Sequence, residues 1–388
     1  MSTDPTLSSE EVGERLRLAR EAVGITQAAA ANAISVARTT LVAIEQGHRR
    51  ARLDELQRLA TLYGQSLNGL LRREAIQVDL RPRFRRGSDR TEYVDQAADL
   101  LTNLVKAEVE LEDLLGIRRV RSDPPERPLL PGDVVRQAEE DAAQLRHWLG
   151  LGGAPIHDMR SLLEMQLGVR VFVRFLEGPV DGLYAYDDAV GGCILLNSKF
   201  PRARRRQTAA HELGHFISTR HAPDALYEGS IQATREERYA HAFGRAFLTP
   251  PKTVMLAFQD VTAGSANLNR RHIILLAQTF GVSIEAMVRR LEELKLAKEG
   301  TWDWYVDNGG ITVEHVRTVL GQADLFAAGV EDEKAPSFRL DAMASEAWRR
   351  ELLSEGQIAS LLQTDRTTAR KLIAQYDDDG PALGDARV

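Results

Sequence analysis

The sequence has little cysteine, few aromatic residues and no long hydrophobic segment. Its single cysteine, Cys193, cannot form an internal disulfide. No run of about eighteen apolar residues is present that could span a bilayer. The first residues also lack the basic and apolar regions of a secretory signal. These absences exclude a disulfide-stabilised domain and a membrane protein, and they make the cytoplasm the expected compartment.

The length and the charge distribution indicate several domains with different partners. At about 100–200 residues per domain, 388 residues predict two or three domains. The net charge of −6 is unevenly distributed, because residues 1–90 carry 15 basic and 11 acidic side chains while the remainder carries 35 and 45. A basic segment joined to an acidic remainder predicts a nucleic-acid contact in the first ninety residues.

This basic segment has the helical pattern of a DNA-binding bundle. Apolar residues at helical spacing predict a first helix from residue 12 to residue 23, and four further helices reach residue 71. The second and third helices are short and separated by a tight break, which is typical of a helix-turn-helix. The later helix of that motif presents its first residues to the base edges in the major groove. The side chains in this position are Arg38, Thr39 and Thr40.

Residues 12–71 resemble the XRE or Cro/phage-repressor family of helix-turn-helix domains, most clearly over "GITQAAAANAISVARTTLVAIEQGHRRA". The resemblance implies a homodimer that binds a double-stranded DNA operator. It also implies that a set of residues contacts bases or phosphates. These residues are Gln27, Ala37, Arg38, Thr39, Arg49 and Arg50. A solvated loop is the alternative interpretation of the two arginines that follow the third helix.

A basic linker and a helix follow the bundle. Residues 72–90 contain seven arginines, which predicts either extra phosphate contacts or a solvated linker. Residues 91–120 predict an amphipathic helix, and the proline-rich stretch 122–133 marks a boundary. The fold class predicted is mainly α with a small α+β domain. The predicted domains are a five-helix bundle (8–72), a linker with one helix (73–130), a core with a short β-sheet (131–299) and a C-terminal helical extension (300–388).

The core contains a helix with a metal-binding pattern. Three strands are predicted from "VRVFVRFL", "GLYAYDD" and "GGCILLN", and the next helix contains His211-Glu212-Leu213-Gly214-His215. Residues four apart share one helical face, so both imidazoles can reach one divalent ion while Glu212 contacts its water ligand. Such an ion lowers the pKa of that water to about 7. Glu212 would then transfer its proton during attack on a peptide bond.

Two residues compete as the third metal ligand. Glu237 lies on the next predicted helix, where the small residues Ala240 and Gly244 would let the two helices approach closely. His221 has the spacing of the longer HExxHxxGxxH pattern, but Ser218 stands where that pattern has glycine. We prefer Glu237.

Residues 130–299 resemble the ImmA/IrrE family of metallopeptidases through several ordered motifs, including "DGLYAYDDAVGGCILLN", "RRRQTAAHELGHFI" and "EERYAHAFGRAFLTP". The resemblance implies a zincin-like fold with Glu212 as the catalytic base and zinc, or alternatively manganese, as the metal. The implied ligands are His211, His215 and Glu237. The family commonly has asparagine where this chain has His241. His241 has two possible functional roles: it would orient Glu237, or it would hydrogen-bond the oxyanion of the tetrahedral intermediate. Alternatively, it only fills a polar gap in the packing.

Together, the two resemblances imply a DNA-binding transcriptional regulator with endopeptidase activity. It would cleave a repressor-like protein, or itself, to control stress or mobile-element genes. The alternative is a non-proteolytic transcription factor that uses the metallopeptidase fold as a sensor or partner-binding domain.

Three further interpretations concern the surroundings of this core. We interpret Tyr184, Tyr186 and Tyr239 as packing residues rather than oxyanion donors. The strand 191–197 is predicted to offer an edge to an extended substrate peptide. The tail, "MASEAWRRELLSEGQIASLLQTDRTTARKLIAQY", is interpreted as a protein-interaction module in preference to a phosphate-binding surface.

Overall fold

The computed structural model describes residues 8–65, 67–71, 80, 92–222, 224–227, 234–265, 267–321 and 338–377. The described chain is mainly helical with one small sheet, which confirms the predicted fold class. It separates into two compact units. The first contains the described residues of 1–78, 106–117 and 342–388, and the second contains those of 79–105 and 118–341. The basic linker, 72–90, lies outside the described residues apart from residue 80, and the four predicted domain boundaries stay predictions.

Five helices form the N-terminal bundle, as predicted. They are α1 (Ser9–Ala22), α2 (Gln27–Ala33), α3 (Arg38–Glu45), α4 (Leu53–Leu62) and α5 (Leu67–Leu71). The side chains of Ser8 and Thr26 accept hydrogen bonds from backbone amides in the first turns of α1 and α2, which fixes where these helices begin. Leu16, Leu41 and Leu59 are fully buried between the helices and form the centre of the bundle core.

A buried ion pair joins the first three helices of this bundle. Arg20 on α1 donates to Glu45 at the end of α3 over 2.6 Å, and Gln27 on α2 donates to the same carboxylate over 2.9 Å. Arg20 and Glu45 are both nearly inaccessible to solvent. Removing one partner of a buried pair usually costs about 3–5 kcal/mol of stability. This pair therefore holds α3 in a defined position relative to α1 and α2.

The remaining elements of the described chain are helices apart from four strands. One helix, α6 (Glu92–Leu115), precedes the core. The core elements are α7 (Val134–Trp148), α8 (Met159–Ser161, continued by a π-helix, Leu162–Gln166), β1 (Arg170–Arg174), β2 (Val180–Asp187), β3 (Gly191–Asn197), α9 (Arg202–Ser218), β4 (Asp224–Tyr227), α10 (Arg235–Leu248), α11 (Pro251–Val261), α12 (Arg270–Phe280) and α13 (Ile284–Glu293). The last helices are α14 (Thr301–Asp307), α15 (Val313–Leu320), α16 (Phe338–Arg349), α17 (Glu355–Leu361) and α18 (Arg366–Asp377). None of the helices in the described part combines the length and the apolar composition needed to cross a membrane.

The sheet of the described residues has the strand order β1-β3-β2-β4. β3 pairs in parallel with β1 and antiparallel with β2, and β2 also pairs antiparallel with β4. The three predicted strands are present, and β4 is additional. The prediction that 191–197 offers a free edge is wrong, because this segment is the central strand β3 with partners on both sides. Every residue of β3 is buried, so its apolar run reflects enclosure on both faces.

Candidate metal centre and DNA-binding surface

Two helices of the core approach each other closely at small residues. A Cβ atom at Gly214 of α9 would lie only 2.9 Å from Ala240 Cα, and one at Gly244 of α10 would lie 3.0 Å from the backbone nitrogen of His211. Real Cβ atoms essentially never show a contact as short as that at Gly214, and the contact at Gly244 is tighter than most, so glycine permits the close approach of the two helices. The predicted close approach through Ala240 and Gly244 is confirmed. It brings side chains from α10 within reach of the histidines on α9.

Three potential ligand side chains meet at this helix contact. His211 Nε2 and His215 Nε2 lie 3.2 Å apart. The carboxylate of Glu237 reaches both, with its oxygens 3.5 Å from His211 Nε2 and 3.4 Å from His215 Nε2. Both histidines are buried, and Glu237 is about one-fifth exposed, with 21% of its side-chain surface accessible. The three residues form a group of possible metal ligands whose atoms all lie within 4.8 Å of one another.

The spacing of these atoms fits a tetrahedral divalent cation. Ligand atoms at about 2.0–2.1 Å from a tetrahedral zinc ion lie roughly 3.4 Å from one another. The two histidine nitrogens are 3.2 Å apart, close to that value, and one oxygen of Glu237 lies 3.5 Å from His211 Nε2 while its other oxygen lies 3.4 Å from His215 Nε2. Two imidazoles and one carboxylate are also a donor set that leaves a fourth position open, as catalytic zinc sites require. The residues present therefore fit a catalytic metal.

Glu212 lies between α9 and the sheet. Its side chain is fully buried, and a Cβ atom at Gly182 of β2 would lie 3.4 Å from Glu212 Oε1. The same Cβ atom would collide with Thr208 Cγ2 at 2.7 Å, so only glycine lets β2 pass this close to α9. Gly182 is a residue that sequence reasoning did not single out. Its missing side chain provides the space in which the Glu212 carboxylate lies.

Thr219 is a second residue that sequence reasoning missed. Its hydroxyl lies 3.2 Å from His215 Nδ1, and it follows α9 as the residue that ends the helix. A hydrogen bond to the second ring nitrogen of a metal-ligating histidine fixes the orientation of the ring. Its position four residues after His215, on the same helical face, was the only signal in the sequence. Thr219 therefore orients His215 toward Glu237.

Thr219→Val is expected to lower the metal affinity about ten- to a hundredfold, because valine has nearly the same shape but cannot hydrogen-bond the ring of His215. Competition with a coloured chelator measures this affinity. Thr219→Ser keeps the hydroxyl and is expected to retain an affinity close to that of the wild type. A valine variant that binds metal as tightly as the serine variant would show that the hydroxyl does not orient His215.

The other two histidines considered for the site lie in different surroundings. The ring of His241 packs against that of His211 with a centroid distance of 4.4 Å, and its Nε2 atom lies 3.9 Å from Glu237 Oε2. His221 instead packs edge-on against Tyr186, and its side chain is more than half exposed. His221 is not part of the group formed by the three ligands. The structure thus favours Glu237 over His221 and brings His241 beside the site.

The three tyrosines considered in the sequence analysis donate their hydroxyl groups to acceptors outside the group of candidate metal ligands. Tyr184 donates to the carbonyl oxygen of Arg220 over 2.8 Å. Tyr186 and Tyr239 donate to carboxylates, those of Asp123 and Asp141 respectively. Burial raises the pKa of all three hydroxyl groups, so each remains a neutral donor. These hydrogen bonds support the interpretation of the tyrosines as packing residues.

The predicted DNA-contacting residues differ in their exposure to solvent and in their hydrogen bonds within the protein. Arg38 and Thr39 are exposed in the first turn of α3, directly after the exposed Ala37, and Thr40 is partly buried. Arg50 is also exposed, whereas Arg49 makes two hydrogen bonds to the buried Glu55, at 2.9 and 3.0 Å. Gln27 donates to Glu45, as described above. The contacts of these residues with DNA remain a prediction, and Ala37, Arg38, Thr39 and Arg50 are the exposed members of the set.

Comparisons with known proteins identify both segments. Residues 164–292 match the M78 peptidase family model described as the IrrE N-terminal-like domain, and residues 11–74 match a model described as a helix-turn-helix domain. Both resemblances found in the sequence are thereby confirmed. No curated protein matches the chain significantly. Among solved structures, the crystal structure of ComR from Streptococcus suis matches at 10% identity over 96% of this chain and 95% of that one. Its TM-score is 0.16.

Proposed function

We propose that this chain is a DNA-binding transcriptional regulator whose IrrE-like domain is a metal-dependent endopeptidase. The observation that supports this most directly is the meeting of His211, His215 and Glu237, together with the full burial of Glu212, which adjoins His211 in the chain. A structural metal site needs no buried acid next to its ligands, whereas hydrolysis of an amide needs one. The arrangement therefore favours a catalytic role over a structural one.

The residues have distinct roles in this proposal. A zinc ion, or alternatively manganese, held by the three ligands would act as a Lewis acid and lower the pKa of a water molecule to about 7. Glu212 accepts the proton of the attacking water and passes it to the leaving amine. His241, beside His211, donates a hydrogen bond to the oxyanion that develops at the scissile carbonyl. Thr219 holds the ring of His215 in place.

We further propose that the substrate is a repressor-like protein and that the chain binds its operator as a homodimer. A helix-turn-helix and a peptidase-like domain in one chain support a switch in which proteolysis changes the transcription of stress or mobile-element genes. The alternative, in which the protein cleaves its own linker, is disfavoured for residues 118–133 of that linker. The amides of Ser122 and Arg127 in that segment donate to the carbonyl oxygens of Leu167 and Ile217. An extended segment held by its own backbone in this way is not free to enter an active site.

Metal removal tests the peptidase activity. The protein is incubated with helix-turn-helix proteins encoded by neighbouring genes, and the products are identified by intact-mass measurement. With zinc or manganese we expect one substrate to yield two fragments whose masses add up to the uncut protein and one water. A chelator should stop the cleavage, and readdition of the metal should restore it. Cleavage that continues unchanged in the chelator would refute the metal-dependent mechanism, and the absence of any cleavage would favour the non-proteolytic transcription factor.

A further inference from the structure

We propose that the tail contains a second helix-turn-helix that binds double-stranded DNA, with α18 as the helix that contacts the duplex. The tail motif consists of residues 344–377, which include the end of α16, the whole of α17 and α18. This proposal replaces the interpretation of the tail as a protein-interaction module. It does not depend on the peptidase activity.

The backbone of the tail motif repeats that of the N-terminal helix-turn-helix. α2 and α17 both have seven residues, and four residues separate each of them from the next helix. The second residue of each turn is a non-glycine residue in the left-handed region, Ser35 with φ 59° and Gln363 with φ 55°. The same conformation also follows other helices of the described chain, at Lys295 and Glu351, so it supports the correspondence together with the equal lengths of the helices and turns.

The hydrogen bonds of the two turns also correspond. In the first turn, the amides of Ser35 and Val36 donate to the carbonyl oxygens of Asn32 and Ala31. The equivalent bonds in the tail motif join Gln363 to Ser360 and Thr364 to Ala359. At the start of the earlier helix, Thr26 and Ser354 each accept a hydrogen bond from the amide three residues later. The two motifs thus have the same helix start and the same turn.

The inward-facing residues occupy matching positions. In the N-terminal motif, four residues on α2, the turn and α3 are 3% exposed or less: Ala30, Ala31, Ile34 and Leu41. Their counterparts in the tail motif are 4% exposed or less: Ile358, Ala359, Leu362 and Ala369. The preceding helices contribute Leu16 and Ala19 in one case and Ala344 and Ala347 in the other, all of them buried. The same face of each helix pair is therefore packed, which leaves the same face of α3 and α18 outward.

The outward face of α18 carries the chemistry that DNA requires. Its first turn reads Arg366-Thr367-Thr368, which repeats the Arg38-Thr39-Thr40 of α3, and all three of its residues are exposed. Arg370 and Lys371, one turn further on, are also exposed and extend the positive charge along this side. In a helix-turn-helix, these positions meet base edges and phosphates.

Two acidic residues near this face interact with groups on α18 itself. Asp365 accepts hydrogen bonds from the backbone amide and the hydroxyl of Thr368, so it caps α18. Glu355 pairs with Arg370, whose side chain is 74% exposed. An exposed pair of this kind contributes little to stability, so a DNA phosphate can replace Glu355 at little cost. The acidic neighbours therefore do not prevent DNA binding.

Salt-dependent DNA binding by the full chain tests the proposal. The test variant is Arg366→Ala/Arg370→Ala/Lys371→Ala. The matched control, Arg118→Ala/Lys252→Ala/Lys298→Ala, removes three exposed positive charges elsewhere. Binding to a fluorescent random duplex of roughly 40 base pairs is measured at several salt concentrations. A variant with Arg38→Ala in α3 is measured alongside, so that DNA binding by the N-terminal bundle is assessed separately.

The expected result is specific to α18. The slope of log K against log salt should decrease by about 2–3 in the test variant, since each lost phosphate contact contributes about 0.9. Affinity near 0.1 M salt should fall at least about tenfold, while the control changes it less than about twofold. All substituted side chains are exposed, so the melting temperature should not change. A folded test variant with the same slope and affinity as the control would overturn the proposal, even if Arg38→Ala weakens binding.

Discussion

Glu237→Ala is expected to lower the affinity of the protein for zinc or manganese by more than about a hundredfold. Glu237 supplies the one carboxylate of the three-residue group, with one oxygen 3.5 Å from His211 Nε2 and the other 3.4 Å from His215 Nε2. Loss of a residue that merely supports a ligand typically costs about ten- to a hundredfold, so loss of the ligand itself should cost more. Isothermal titration calorimetry of the metal-free protein measures the effect.

The neighbouring residue provides the matched control for this substitution. Glu236 is exposed in the same first turn of α10, one residue before the proposed ligand. Glu236→Ala removes the same charge from the same helix end and should leave metal affinity within about twofold of the wild type. If both variants bind metal equally well, the third ligand is not Glu237. His221, the alternative from the sequence, would then be the next residue to substitute.

Local spacing made the candidate metal site predictable. Two histidines four residues apart must share a helical face, and an acidic residue next to the first of them must lie beside that face. Ala240 and Gly244 indicated that a second helix could pack closely on the first, and the structure places Gly244 against the backbone of His211. These inferences needed only helical periodicity and side-chain size. The position of Glu237 on this second helix favours it over His221 as the third candidate ligand, and the resemblance to a known family implies the same residue.

Features that depend on distant segments were not predictable in the same way. The apolar run 191–197 predicts a strand, but alternation and composition do not say which strands lie beside it. The sequence alone therefore does not show that this strand lies between β1 and β2. Similarly, the sequence around Arg49 does not indicate that its guanidinium group hydrogen-bonds to Glu55 on the next helix. The correspondence between the two helix-turn-helix motifs lies in their φ angles, hydrogen bonds and burial, which composition and spacing do not reveal.

Glu212→Gln is expected to reduce the cleavage rate about 10²- to 10⁴-fold, the usual contribution of a general acid–base residue. Glutamine has nearly the same size and shape as glutamate, so the packing around Gly182 and Thr208 should be preserved. It cannot accept a proton at neutral pH. Because Glu212 is not one of the three grouped ligands, metal affinity should stay close to that of the wild type. The substitution thus separates proton transfer from metal binding.

The most direct test of the account compares wild-type and Glu212→Gln protein, each loaded with one equivalent of zinc or manganese. Both are incubated with the helix-turn-helix proteins encoded by neighbouring genes, and fragments are quantified by intact-mass measurement over time. We expect the wild type to cleave one of these proteins at a single bond and the variant to leave it uncut over the same period. Fragments that form at the same rate with both proteins would contradict the assignment of the His211, His215 and Glu237 group with Glu212 as a peptidase active site.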